Sequence, residues 1–128
     1  MEHKKNKFDS REKRNRYRLR HTARGRKIRL CYTRSNKYLS LQAIDSNTNN
    51  TLISVSTSSQ EYFGEFKSRK GTESASKLGS VMADLLKSIT IKNDSLSLGQ
   101  VYFDRGAFRY HGIVKVCADS LRNNGLEF

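Results

Sequence analysis

The 128-residue chain has no proline and only two cysteines, Cys31 and Cys117. The missing proline, beside abundant asparagine and serine, fits an AT-rich genome and says little about function. Two isolated thiols make neither a disulfide framework nor a CxxC site. Each lies among apolar neighbours, which reads as a small buried hydrophobe in a reducing compartment. No apolar run approaches the roughly 18 residues of a membrane span. No apolar segment follows the basic start, so a signal-peptide pattern is lacking too. A transit peptide would share that basic start, but Glu2, Asp9 and Glu12 argue against one.

Catalytic signatures are equally scarce. The sequence has no GxSxG elbow, no GxxxxGK[ST] loop and no GxGxxG turn. His3 and His21 sit in the basic N-terminal tract and His111 stands alone, so no zinc-ligand set or other metal site forms and no cofactor is implied. A magnesium-dependent nuclease needs several converging carboxylates. Asp45 and Asp104, both expected at strand ends, are the one plausible pair, and no third acid occupies a comparable place. A nuclease or other RNA-processing enzyme is therefore the weaker alternative.

What the chain does have is positive charge in one place. Its formal net charge is +13. Residues 1–37 hold 15 Lys/Arg against 3 acids, a net of +12, and residues 38–128 hold 10 against 9, a net of +1. A block of this kind is the footprint of a polyphosphate partner rather than of general solubility. Residues 1–27 have only Phe8, Tyr17 and Leu19 as large apolar groups, too few to order the segment alone. Arg11, Arg14 and Arg18, and Lys13, Arg16 and Arg20, recur at helical spacings. A helix with cations all round repels itself in water and becomes favourable against phosphates. Residues 1–27 thus read as a basic arm, partly helical, that orders fully on RNA. The arm lacks the continuous apolar face that a membrane surface would need.

The rest reads as one α/β domain, residues 28–128. Residues 28–34 alternate, with Ile28, Leu30 and Tyr32 on one face; residues 38–45 and 51–57 follow as further strands, joined by short polar turns into an antiparallel meander. Residues 58–72 are looser, anchored by Tyr62, Phe63 and Phe66. Ala75, Leu78, Met82, Leu85 and Ile89 form a helical stripe, and Gly79 within it suggests close packing on the sheet. Residues 90–98 read as a polar loop and 99–104 as a fourth strand. Residues 112–124 read as a second helix burying Ile113, Val116, Cys117 and Leu121. Gly125 stops that helix, and Leu126 and Phe128 fold back as apolar plugs. A helical crossover makes the fourth strand parallel to its neighbour. The expectation is a mixed, mainly antiparallel sheet, a three-strand meander plus one parallel strand, with packed helices and a basic N-terminal arm.

Polar clusters fall at the strand ends: Arg34, Ser35, Asn36 and Lys37; Ser56, Thr57 and Ser58; Asp104, Arg105, Tyr110 and His111. Arginine and lysine meet phosphates, serine, threonine and asparagine meet sugar hydroxyls, and tyrosine and histidine stack on bases. No helix-turn-helix or zinc finger is visible, so RNA fits better than DNA.

Four stretches then resemble a known family: "GRKIRL"; "RSNKY" followed by "QAID"; "TLISVST"; and above all "FDRGAFRYHGIVK" with "ADSLRNNGLEF". Together they look like the bacterial-type large-subunit ribosomal protein "L-eighteen", over residues 14–128. The resemblance implies an RNase H-like topology and no enzymatic activity. It implies binding to 5S rRNA and its anchoring to the large-subunit, 23S-type rRNA in the central protuberance, beside neighbouring ribosomal proteins, in the cytoplasm of a bacterium rather than in an organelle. By the family pattern, Arg34, Ser35, Asn36, Lys37, Tyr38, Ser56, Thr57, Arg105, Tyr110, His111 and Lys115 bind RNA. Asp104, Gly106 and Gly112 shape the turn. Arg14, Arg16, Arg18, Arg20, Arg24, Arg26 and Lys27 match only as a basic tract. The chain departs from the family in residues 90–98, where about one extra turn of loop is expected, and in lacking a proline before the first strand.

Overall fold

Strand alternation decides which side chains meet the helices. In β1 (Ile28–Arg34), Ile28, Leu30 and Tyr32 are buried. Arg29, Cys31 and Thr33 therefore point to the other face. In β2 (Leu39–Asp45), Leu39, Leu41 and Ala43 are buried, leaving Ser40 and Gln42 opposite. β3 (Thr51–Ser56) pairs Val55 with Leu41 and Ile53 with Ala43, so Ser54 and Ser56 share the face of Gln42 and Ser40. In β4 (Val101–Asp104), Val101 and Phe103 face the core, and Tyr102 and Asp104 face away. The computed structural model describes residues 10–15, 17, 26–92, 100–106, 108–110, 112–126 and 128.

The sheet order is β3-β2-β1-β4. β1–β2 and β2–β3 are antiparallel and β1–β4 is parallel, with Leu30 opposite both Ala43 and Phe103. A parallel neighbour demands a crossover. It runs through a one-turn helix, α1 (Gln60–Phe63), and the long α2 (Thr72–Lys92); α3 (Ile113–Asn123) follows β4. This is the mixed sheet with packed helices that the sequence leads one to expect. Both long helices join the buried apolar cluster on one face of the sheet. Among the described residues no helix is long and apolar enough to cross a membrane.

Several local expectations change. Residues 60–63 are helical, fastened by Phe63, which is fully buried. α2 runs on through Lys92, so the first part of the expected 90–98 loop is helix; residues 93–99 lie outside the described ones. Within α2, Leu86 is fully buried along with Ala75, Leu78 and Met82, while Leu85 and Ile89 are half-buried. In α3 the buried stripe is Val114, Cys117, Ala118 and Leu121, an i, i+3, i+4, i+7 set. Ile113 and Val116 flank it, half-buried against the core.

Gly79 does mark a close approach, but to α3 and not to the sheet. A Cβ there would lie 2.8 Å from the Cys117 carbonyl oxygen and 2.8 Å from Ser120 Cβ. Ser120 Oγ donates to the Ser76 carbonyl at 2.5 Å, so the two helix backbones meet where the side chains are smallest. Past α3, Gly125 takes φ 107°, Leu126 is buried, and the Phe128 ring stacks on Phe103 with centroids 5.7 Å apart.

Candidate nucleic-acid interface

The register places three of the polar clusters at one end of the sheet. β1 ends at Arg34 opposite Leu39, where β2 begins, and β3 ends at Ser56 opposite Ser40. β4, parallel to β1, ends toward the same side at Asp104. The 34–38 connection, Ser56 and the turn after Asp104 thus line up along this end. Arg34, Asn36 and Lys37 are exposed. Ser35 shapes the connection: its Oγ accepts the Tyr38 amide at 3.2 Å, and its own amide donates to the Tyr38 carbonyl at 2.9 Å. The Tyr38 ring is left partly exposed.

Asp104 ties the site together. Its carboxylate is buried, at 2 % exposure. Oδ1 accepts from Asn15 Nδ2 at 3.0 Å and from the Gly106 amide at 2.8 Å; Oδ2 accepts from Arg29 Nη1 at 3.0 Å. The Cys31 thiol lies 4.0 Å from Oδ2, which makes it a half-buried polar neighbour rather than the buried hydrophobe expected. Burial works against the charge of Arg29, but nearby Cys31 and the hydrogen bond and charge of Asp104 outweigh it and raise its pKa above the ordinary value. The bond to the Gly106 amide is an Asx turn. Gly106 takes φ 61°, a conformation glycine adopts freely, and the Phe108 amide closes the turn on the Arg105 carbonyl at 3.1 Å.

Asn15 belongs to a helical stretch of the arm, residues 10–15, and is itself buried. This stretch of the arm therefore docks on the domain through a polar contact spanning 89 residues. Arg11, Arg14 and Asn15 form one wall of a groove of about 390 Å³, and Arg105, Phe108 and Arg109 form the other. Arg109 and Arg11 are absent from the residues assigned to RNA on sequence. The i, i+3 spacing of Arg11 and Arg14 was visible there; the docking of that helix beside Arg105 and Arg109 was not.

The remaining assigned residues divide. Thr57 is a correction: it is fully buried, its Oγ1 accepting the Leu39 amide at 3.0 Å and donating to the Arg69 carbonyl at 2.7 Å. It holds the loop after β3 and has no surface to offer RNA. Arg26 and Lys27 sit at the opposite end of the sheet, where Arg26 Nη1 donates to the Val101 carbonyl at 3.0 Å and the Ser46 amide reaches the Lys27 carbonyl at 2.8 Å. Arg14 lies on the groove, and Lys115 is exposed in the first turn of α3. Gly112 precedes α3 at φ 61°, ψ −125°, a backbone state open to glycine. Tyr110 is exposed, and its hydroxyl accepts from Arg122 Nη1 at 2.7 Å. Arg16, Arg18, Arg20, Arg24 and His111 lie outside the described residues.

The carboxylate pair weighed for nuclease chemistry does not converge. Asp45 pairs with Ile28 and Asp104 with Cys31, so they stand on opposite faces of the sheet, three residues apart in register. No group of three metal-binding side chains occurs among the described residues.

The comparisons with known proteins agree. The family model for ribosomal protein L18 of archaea, bacteria, mitochondria and chloroplasts matches residues 2–128. The chain is 40 % identical over 104 residues to the large ribosomal subunit protein uL18 of Protochlamydia amoebophila, covering 81 % of this chain and 79 % of that one. It is 39 % identical over 120 residues to uL18 of a Ruegeria species, covering 94 % and 92 %. With Dictyoglomus thermophilum uL18 the figures are 41 % over 100 residues, 78 % and 76 %. A cationic sheet end, an arginine groove and these matches converge: the chain belongs to the L18 family, structural, non-enzymatic proteins of the large ribosomal subunit.

Proposed function

We propose that within the large subunit this protein binds 5S rRNA and anchors it to the 23S-type rRNA in the central protuberance, next to neighbouring large-subunit proteins. The setting is the cytoplasmic ribosome of a bacterium, in keeping with the bacterial sources of its relatives. One observation carries the reading. The strand-end clusters and the returning arm meet at the same end of the sheet, where Arg11, Arg14, Arg34, Lys37, Arg105 and Arg109 all stand at the surface. Cations grouped on one end neutralise neighbouring phosphates and release their counterions, the main source of affinity for structured RNA. The hydroxyls and amides of Ser35, Asn36 and Ser56 supply contacts to sugars.

The arm, residues 1–27, and the domain, residues 28–128, act as two parts of one binding surface. Binding of 5S rRNA is measured by filter retention across a salt series. The logarithm of affinity is expected to fall steeply and linearly with the logarithm of salt, and deletion of residues 1–27 to flatten the slope. An affinity indifferent to salt would refute the proposal. Recovery of the protein with 5S rRNA from native large subunits is the complementary test.

A further inference from the structure

We propose that the groove between the arm helix and the 105–109 turn is a preformed seat for a short stretch of RNA backbone, held open by Asp104 through Asn15. This rests on the reading that the protein binds rRNA, and it adds where the backbone sits and which residue sets the arm in place.

Four arginines line the groove, Arg11, Arg14, Arg105 and Arg109, and none of the described lining residues is acidic. Bringing like charges together costs Coulomb energy that a bound anion relieves. Something must hold the two walls in place beforehand. The Asn15–Asp104 hydrogen bond does so at 3.0 Å, and the same carboxylate sets the opposite wall through the Gly106 amide at 2.8 Å. One buried group therefore positions both walls. Arg29 neutralises that carboxylate from β1 at 3.0 Å, so its negative charge is compensated within the floor. Arginine suits the task because its planar fork meets two phosphate oxygens at once. A volume of about 390 Å³ has room for a short length of backbone. A docked arm has less disorder left to lose when RNA arrives, which raises affinity without further contacts.

The test uses the full-length protein and intact 5S rRNA. Arg105→Gln with Arg109→Gln removes two cations outside the arm. This variant is expected to weaken binding about tenfold per arginine and to lower the salt slope by about one for each. Asn15→Ala leaves every arm charge in place. It is expected to weaken binding several-fold at an unchanged slope, the signature of lost positioning rather than lost charge, with the thermal midpoint of the domain little changed. Wild-type affinity and slope in both variants would overturn the proposal. If the wild type ignores 5S rRNA but binds a fragment of the large-subunit rRNA with the same dependence on Arg105, Arg109 and Asn15, the groove stands and the 5S reading falls.

Discussion

The two faces of the sheet are made by the same four strands, yet they do different jobs. One face presents Ile28, Leu30, Leu39, Leu41 and Val101 to the helices and is closed to water. The other presents Thr33, Ser40, Gln42, Ser54 and Ser56, is not covered by α2 or α3, and carries the Arg29–Asp104 pair to which the arm is tied. Neighbouring positions along a strand therefore differ in kind: alternate residues pack under the helices or stand on the open face. The Thr33 and Ser40 hydroxyls are hydrogen-bonded across β1 and β2, so even the open face is internally ordered.

The largest expected break in this comparison is alkaline. Burial holds the Cys117 thiol up to about 12 from an ordinary 9.0, and the Tyr32 phenol up to about 12 from 10.0. The unfolded chain loses both protons earlier, so their contribution is complete below pH 9 and is lost progressively between about pH 9 and 12. Thermal midpoints across that range test this, and Cys117→Ala is expected to move the onset of the decline toward pH 10. Next comes the core face itself: Leu41→Ala should cost about 3 kcal/mol in urea unfolding, as a buried leucine truncation does. Gly79→Val is expected to cost about 2 kcal/mol, because its Cβ meets a backbone oxygen at 2.8 Å and the helices must part.

On the open face the exception is Asp104. Its replacement by Ala is expected to cost about 1 to 2 kcal/mol, since Arg29, with 21 % of its side chain exposed, can recover part of its solvation from water. Gln42→Ala, one residue from Leu41, is the control and should stay within about 0.5 kcal/mol. A loss at Gln42 comparable to that at Leu41 would show that the open face is packed against something.

Much of this division was readable in the sequence. The alternation of β1 and β2, the crossover before β4 and the strand ends themselves follow from periods of two and of three to four. What escaped was set by contacts between distant residues. Four residues at 60–63 are too few to show a helical period, and only Phe63 meeting the core makes them a turn of helix. Two apolar stripes overlap in 113–121, and packing against α2 chooses the one with Val114 and Ala118. Thr57 looks like any surface hydroxyl until the loop at Arg69 closes over it. The docking of the arm rests on a polar pair that no local pattern announces.

That pair also has a bearing on the order of events during synthesis. The arm is made first, but its anchor is residue 104 of 128, and β4 must align with β1 before the carboxylate is in place. Contacts between distant parts of a chain close late because the intervening loop must be ordered first. A chain still being made therefore carries an undocked arm. The arginine groove comes into being only after β4 has aligned with β1, so its presence reports that this pairing is complete.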